Sequence, residues 1–288
     1  MSRDCPPRLY KYFGPERYDF FNDLRVRYSQ LGAFNDPFEG RPEITSLSTK
    51  ENFLEELGRV LPEQIERTYE QLPSYIRERM SYNQIRALAE HLVKGGQTEM
   101  FDKLQEIGSV AGAFFTGKID HLLGVFCLSE VPDNLLMWAH YARSHTGFVV
   151  EFDALHPSFH EQKSEEDDMR HIRRVYYRDS RPSAPLSEMS AIELFLVKSS
   201  HWSYEREWRL VRPLSDAAKM IPMDPYPLAF FDIPPSAIKG VITGARMSPE
   251  YCERLRQAMM THAELRSIQV RRALPDASHF LLRFENDV

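Results

Sequence analysis

The sequence predicts an α+β fold: a mixed, mainly antiparallel β core interrupted by one helical insertion. Three observations predict it. Short apolar or alternating runs bounded by turn residues recur toward both ends of the chain. Residues 50–118 switch to a Glu-, Arg-, Leu- and Gln-rich composition with helical periodicity and few β-branched residues. No internal repeat or long low-complexity tract breaks the chain, so residues 1–288 read as a single domain with 50–118 inserted in it.

Residues 8–13 alternate and predict a first strand; Glu16–Leu24 predicts a short helix, and Leu24–Ser29 a second strand. Phe34-Asn35-Asp36-Pro37-Phe38-Glu39-Gly40 is a loop, because Pro37 pushes Asp36 out of the α region and Asn and Asp bond their own backbone. The 50–118 block predicts three or four helices, broken near Pro62, Pro73 and Gly95-Gly96. Strand character returns over His121–Glu130. Asp133 is placed to cap a helix from Asn134 to about Ser144, with Gly147 to end it. Further expectations are a strand at Phe148–Asp153, a charged surface loop over 156–170, a short strand at Val175–Tyr177, a helix at Ser187–Lys198 and a strand at Tyr204–Arg212. The chain closes with a strand at Ile238–Thr243, a helix at Pro249–His262 and a strand at Ser267–Ala273.

Composition narrows the function classes. Of 288 residues, 42% are hydrophobic and 12% aromatic, enough for a sizeable core. The formal net charge of −6 argues against bulk electrostatic binding of nucleic acid, although Arg170, Arg173, Arg174 and Arg178 crowd together. The three cysteines, Cys5, Cys127 and Cys252, are far apart and form no C-x-x-C pair, so neither a zinc nor a disulfide framework is implied. No apolar leader and no run of 18 apolar residues is present, so no membrane is expected and the cytoplasm is the expected compartment.

The most informative stretch is Ser199–Arg209, which packs two acids, two arginines and three aromatic rings together. On a strand, Glu205, Glu207 and Arg209 share one face and Tyr204, Trp208 and Leu210 the other. Same-face neighbours lie roughly 6.5–7 Å apart, so the two carboxylates can divide labour at a site. The bland alternative is a solvent face of Glu–Arg pairs, which contribute little. Lys11, between Tyr10 and Tyr12, is either a phosphate- or carboxylate-binding cation or an edge-strand lysine that discourages aggregation. Arg25, Arg27 and Ser29 share a strand face, with Val26 and Tyr28 on the other; Asn35 and Asp36 suit a turn or a ligand loop equally. From Ser129 to His145, helical spacing puts Trp138, Tyr141 and His145 on one stripe. His140 and His145 are i+5 and do not align, so no metal is expected. No G-x-S-x-G, P-loop or G-x-G-x-x-G occurs, and Cys127 reads as a core thiol.

Five segments taken together are similar to a known family. Leu-Tyr-Lys-Tyr at 9–12, Phe-Asn-Asp-Pro-Phe-Glu at 34–39, Leu-Met-Trp-Ala-His-Tyr at 136–141, Gly-Phe at 147–148 and Tyr-Glu-Arg-Glu-Trp-Arg at 204–209 resemble the bacterial family labelled domain of unknown function 2971. The motif order in turn looks like that of ADP-ribosyltransferases, a superfamily that includes bacterial toxins. That resemblance implies an ADP-ribosyltransferase-like core and NAD as substrate. It also implies a macromolecular acceptor, nucleic acid or protein, and a role as a toxin or phage-defence effector with an antitoxin or regulatory partner. It places Glu207 as the late catalytic glutamate with Glu205 beside it, and Tyr28 or Ser129 at the middle-strand position. Lys11 stands where the superfamily usually has Arg or His. Around the substrate it implies Tyr10, Lys11, Arg27, Ser29, Asn35, Asp36, Ser129, Trp138, Tyr141, Ser199 and Arg209, with Lys198-Ser199-Ser200 along the nicotinamide. Two other readings remain: a non-catalytic nucleotide- or partner-binding module, and a metal-dependent nuclease or other hydrolase.

Overall fold

A computed structural model describes residues 5–286 except 166 and 168, with the backbone alone at 109–111 and 113. The architecture is mixed α+β with a large, mainly antiparallel sheet. By contacts the chain divides into two compact units. Unit one holds residues up to Arg41, Gly117–Arg181 and the chain from Ala191 on; unit two holds Pro42–Thr116 and Pro182–Ser190.

Unit one is built on an eight-stranded sheet. Its order is β15 (Leu282–Asn286), β14 (Gln269–Pro275), β13 (Ile238–Thr243), β5 (Phe148–Asp153), β1 (Arg8–Phe13), β4 (Leu123–Ser129), β10 (Glu207–Pro213) and β6 (Arg173–Arg174). Every neighbouring pair is antiparallel except β13 with β14. A second sheet joins β11 (Lys219–Ile221), β12 (Leu228–Asp232) and β2 (Arg25–Tyr28), and β7 (Tyr176–Arg178) pairs in parallel with β9 (Val197–Ser199). Alternation divides the strands between two cores. Leu9, Phe13, Phe148, Val150 and Phe152 enter one core, closed by Phe20 and Phe21 of α1 (Phe20–Asp23) and Leu255, Ala258 and Met259 of α8 (Pro249–Met259). Tyr12, Val149 and Ile242 enter the other, closed by Met137 and Trp138 of α6 (Leu135–Tyr141). Trp138 is fixed there by an indole bond to the Pro132 carbonyl at 2.7 Å and an edge contact with Tyr12.

Unit two contains α2 (Lys50–Gln71), α3 (Ser74–Arg77), α4 (Tyr82–Glu106), α5 (Gly108–Leu122) through Thr116, and the short parallel pair β3 (Glu43–Ile44) with β8 (Ser183–Ala184). It therefore begins ahead of residue 50 and takes in a later segment. Helical stretches of 22 and 25 residues in α2 and α4 run through Pro62 and through Gly95-Gly96, where breaks were predicted. Strong helix formers on both sides carry α2 past its exposed proline, and no neighbour crowds Gly58, whose carbonyl Pro62 cannot bond. Around Gly95 and Gly96 too, no described neighbour lies within 4 Å of where a Cβ would stand, and the helix runs on through them.

Four other expectations are corrected. Asn134, not Asp133, caps α6, accepting from the Leu136 and Met137 amides. That helix stops at Tyr141 instead of about Ser144, because Arg143, Ser144 and His145 all take positive φ. The predicted helix over 187–198 is only α7 (Ala191–Phe195), and Lys198 lies on strand β9. The strand predicted from Tyr204 starts at Glu207, because residues 200–205 form a 3-10 turn capped by Arg206 at φ 43°. Strands β11, β12 and β15 were not anticipated.

Candidate active site in the wedge between two strands

Strand β4 changes partner along its length. At Ser129 it pairs with Tyr10 of β1, and at Val125 it bridges to Ser29 just beyond β2. Between those points its edge is open, and the Lys11 ammonium donates to the Cys127 carbonyl at 2.9 Å where a ladder bond would otherwise lie. The wedge forms a cavity of about 170 Å³.

Tyr10, Lys11, Arg27, Ser29, Asn35, Ser129, Tyr141, Glu205 and Glu207 line this cavity, together with Tyr12, Phe34, Glu39, Cys127, Met137 and Lys198. Nine of the sequence-derived candidates thus converge on one space. Five do not. Tyr28 packs in the core, 4.1 Å from the Phe231 ring and stacked on Phe126, since alternation on β2 sends Arg27 and Ser29 to the wedge and Tyr28 the other way. Asp36 is a turn residue accepting from the Phe38 amide. Trp138, on the buried face of α6, anchors that helix in the second core. Ser199 accepts from His201 as the cap of the 200–205 turn. Arg209 is fully buried behind Glu207.

The floor is a buried charge cluster. The Lys198 ammonium lies 2.6 Å from Glu205, 2.9 Å from Glu207 and 3.5 Å from Glu39. Arg209 grips both oxygens of Glu207 at 2.9 and 3.0 Å, contacts Glu39, and donates to the Phe195 carbonyl at 2.7 Å. The Tyr141 hydroxyl donates to Glu205 at 2.6 Å, and the Ser129 hydroxyl to the Glu205 carbonyl at 2.6 Å. The Glu207 amide donates to the Tyr177 hydroxyl at 2.8 Å. Glu205 and Glu207 thus meet at Lys198 without sharing a strand; the left-handed turn at Arg206 swings Glu205 back over the cleft.

Burial and the neighbouring Glu207 push the Glu205 carboxyl pKa up, opposed by Lys198 and Tyr141. Burial opposes the charge of Lys198, yet Glu207 and Glu205 together hold its pKa above the ordinary lysine value. Across the cleft, burial pushes the Lys11 pKa down, against the pull of Glu207 and Glu205. Burial also lowers the pKa of Arg27, whose Nε is buried without a hydrogen-bond partner. The Cys127 thiol, first read as core, faces the cavity with its pKa pushed well up by burial and Glu207. The cleft is therefore bipolar. Carboxylates held by Lys198 and Arg209 form one wall, and two cations without carboxylate partners among the described residues form the other.

Glu39 and Lys198 complete the site. Glu39 ends the Asn-Asp-Pro-Phe-Glu segment, which the sequence reads equally as a turn or a ligand loop, and its signal is an acid in the same loop as Asn35 and Asp36. Only the family resemblance points to Lys198 in the sequence. The crowded arginines at 170–178 are largely committed: Arg170 pairs with Asp167 and Asp216, and Arg174 with Glu130. His140 bonds the Tyr204 hydroxyl and His145 stacks on Trp138; among the described residues no group of three metal-ligating side chains assembles. No described helix is long and apolar enough to cross a membrane.

Residues 137–210 match a family model described as Protein of unknown function (DUF2971). The match runs from Met137 on α6 into β10 and takes in Tyr141, Lys198, Glu205, Glu207 and Arg209. No curated protein and no solved structure matches the chain.

Proposed function

We propose that this protein is an ADP-ribosyltransferase-like enzyme that cleaves NAD and passes ADP-ribose to a macromolecular acceptor. The observation that carries the reading is the convergence of Glu205 and Glu207 on a cleft whose opposite wall holds Lys11 and Arg27. A bipolar cleft suits a substrate that is anionic at its pyrophosphate and becomes cationic at its reacting ribose. Breaking the bond between ribose C1′ and the nicotinamide nitrogen sends the electron pair to nicotinamide and leaves positive charge on the sugar. A carboxylate on that face stabilises the charge more in the transition state than in the ground state. Lys11 and Arg27 suit the phosphates, and Tyr10 or Tyr141 a ring stacked against nicotinamide. An acceptor oxygen or nitrogen then bonds to C1′, and its proton passes to Glu205, whose raised pKa suits a proton acceptor. At about 170 Å³ the cavity is smaller than the ~300–1,000 Å³ of sites that engulf a drug-sized ligand, so it would enclose one end of a dinucleotide.

One observation favours a second reading, a nucleotide-binding module without turnover: both oxygens of Glu207 are occupied by Arg209 and Lys198 before any ligand arrives. Incubation with NAD labelled in its adenosine half separates the two. Nicotinamide release and labelled acceptor, both lost in Glu207→Gln, are expected of the transferase. Saturable NAD binding without nicotinamide release is expected of the module. If NAD is neither bound nor consumed, both fail, and a fully active Glu207→Gln removes Glu207 from the chemistry.

A further inference from the structure

We infer that the rim of this cleft is a binding surface for single-stranded nucleic acid, an inference that names the acceptor class for the transferase reading and rests on it only in that respect. The rim interleaves rings with arginines. On one side the loop between the lining residues Asn35 and Glu39 raises Phe38, 61% exposed, with the Arg181 guanidinium 5.9 Å over its ring. On the other, the 200–205 turn that delivers Glu205 also presents Trp202 and Tyr204, their rings 6.1 Å apart, with exposed His140 6.3 Å from Tyr204.

Three exposed arginines flank these rings. Arg178 stands in register with Ser199 at the start of the turn, and Arg206 caps its end in the left-handed conformation. Arg181 spends its donors on the neutral Arg41 carbonyl. Among the described residues none of the three pairs with a carboxylate. Of the nearby acids, Asp179 accepts from Ser200, Glu130 accepts from Trp208 and pairs with Arg174, and exposed Asp133 lines a depression with Arg206 and Tyr204 without an ion pair among the described residues. In a chain of net charge −6, three exposed arginines that pair with no carboxylate among the described residues, on the segments that carry these rings or adjoin them, are a local exception.

Partly open rings beside guanidinium groups that have no carboxylate partner match a backbone of phosphates carrying unstacked bases. A duplex keeps its bases stacked inside and offers these rings nothing. A protein acceptor would gain from the rings but leave the arginines without partners unless it were acidic. A base seated on Trp202 lies on the turn that holds Glu205, the group proposed to take the acceptor proton.

The test needs no NAD, so its outcome is separable from that of the transferase reading. Trp138 and Trp208 are buried, so quenching of tryptophan fluorescence reports Trp202. Titration with twelve-nucleotide oligo-dT and oligo-rU is expected to quench it saturably, and the matching duplex is not. Trp202→Ala, followed by fluorescence anisotropy of a labelled oligonucleotide, is expected to lose about tenfold in affinity, and Trp202→Phe to retain most of it. The triple variant Arg178→Ala, Arg181→Ala, Arg206→Ala changes exposed side chains only. It is expected to flatten the slope of log affinity against log salt by about 2, from roughly 0.7 per phosphate contact. Failure of either oligonucleotide to bind, equal binding of duplex, or an unchanged salt slope in the triple variant overturns the inference. So does transfer of label to a protein acceptor by a chain that binds no oligonucleotide.

Discussion

Lys198→Met tests whether the ammonium holds the site together. The substitution keeps the unbranched stem and removes a charge that lies within 3.5 Å of three carboxylates. Arg209 still grips Glu207 and Glu39, so the loss falls mainly on Glu205, left with the Tyr141 hydroxyl. Breaking a buried ion pair costs about 3–5 kcal/mol. Glu205 has an escape, because it can fold in its protonated form. From an ordinary carboxyl value of 4.5 and 1.36 kcal/mol per pH unit, that escape limits the loss to about 3.4 kcal/mol at pH 7 and about 0.7 kcal/mol at pH 5. The sign follows from the direction of the shift. The folded carboxyl binds its proton more tightly than the unfolded one, so the stability of the protonated form is present below pH 4.5 and lost as pH rises through the raised folded value. Urea unfolding followed by tryptophan fluorescence reads unit one alone, since Trp138, Trp202 and Trp208 all lie in it. In a thermal melt at pH 7 read by the same fluorescence, the midpoint temperature is expected to fall by on the order of 10 °C. A loss below about 1 kcal/mol at pH 7, or one that grows between pH 7 and pH 5, would refute the keystone role of Lys198.

Tyr141→Phe removes the 2.6 Å donor to Glu205; it is expected to cost about 1.5–3 kcal/mol and to raise the Glu205 pKa further, read by NMR titration of side-chain-labelled glutamate. Gly147→Ala is expected to cost about 3 kcal/mol or more in urea unfolding, because its Cβ would fall 1.9 Å from the Phe13 carbonyl oxygen, where β1 meets β5. Pro62→Ala restores a donor inside α2 and is expected to stabilise unit two by up to about 3 kcal/mol, visible as a higher melting temperature by far-ultraviolet circular dichroism.

Strands with regular alternation were legible. β1, β5 and β13 carry apolar residues at strict intervals on both faces, and their predicted limits agree with the observed ones. What failed was punctuation. Pro62 and Gly95-Gly96 are ordinary stop signals overridden by helix formers around them. Conversely, Arg143–His145 and Arg206 end their elements in left-handed conformations that no glycine announced. Those turns are held by distant partners: Gly244 and Arg246 bond the Gly147 and His145 carbonyls, and Glu130 bonds the Arg206 carbonyl. Local propensity carries no trace of such partners. Tyr28 was misplaced for a different reason: its β2 alternation already pointed it away from Arg27, but the motif layout outweighed that geometry.

The charge cluster gives the strongest reason to treat the wedge as more than architecture. Glu39, Glu205 and Glu207 bring three carboxylates, while Lys198 and Arg209 supply two cations, so the floor holds one carboxylate beyond its own neutralisation. A buried ion cluster stabilises no better than well-packed apolar side chains of the same volume, and an uncompensated member destabilises. Across the cavity lies Lys11, itself desolvated and, among the described residues, bonded to the Cys127 carbonyl with no carboxylate partner. Moving Lys11 or Arg27 closer would quench the cluster and close the wedge. Instead β4 parts from β1 after a single paired position, and the opposed charges face each other across open space. That separation serves no purpose for stability. It suits a ligand with a negative end for one wall and a developing positive charge for the other. It also makes Glu205, whose pKa is pushed up by burial and the neighbouring Glu207, a group suited to accept a proton there.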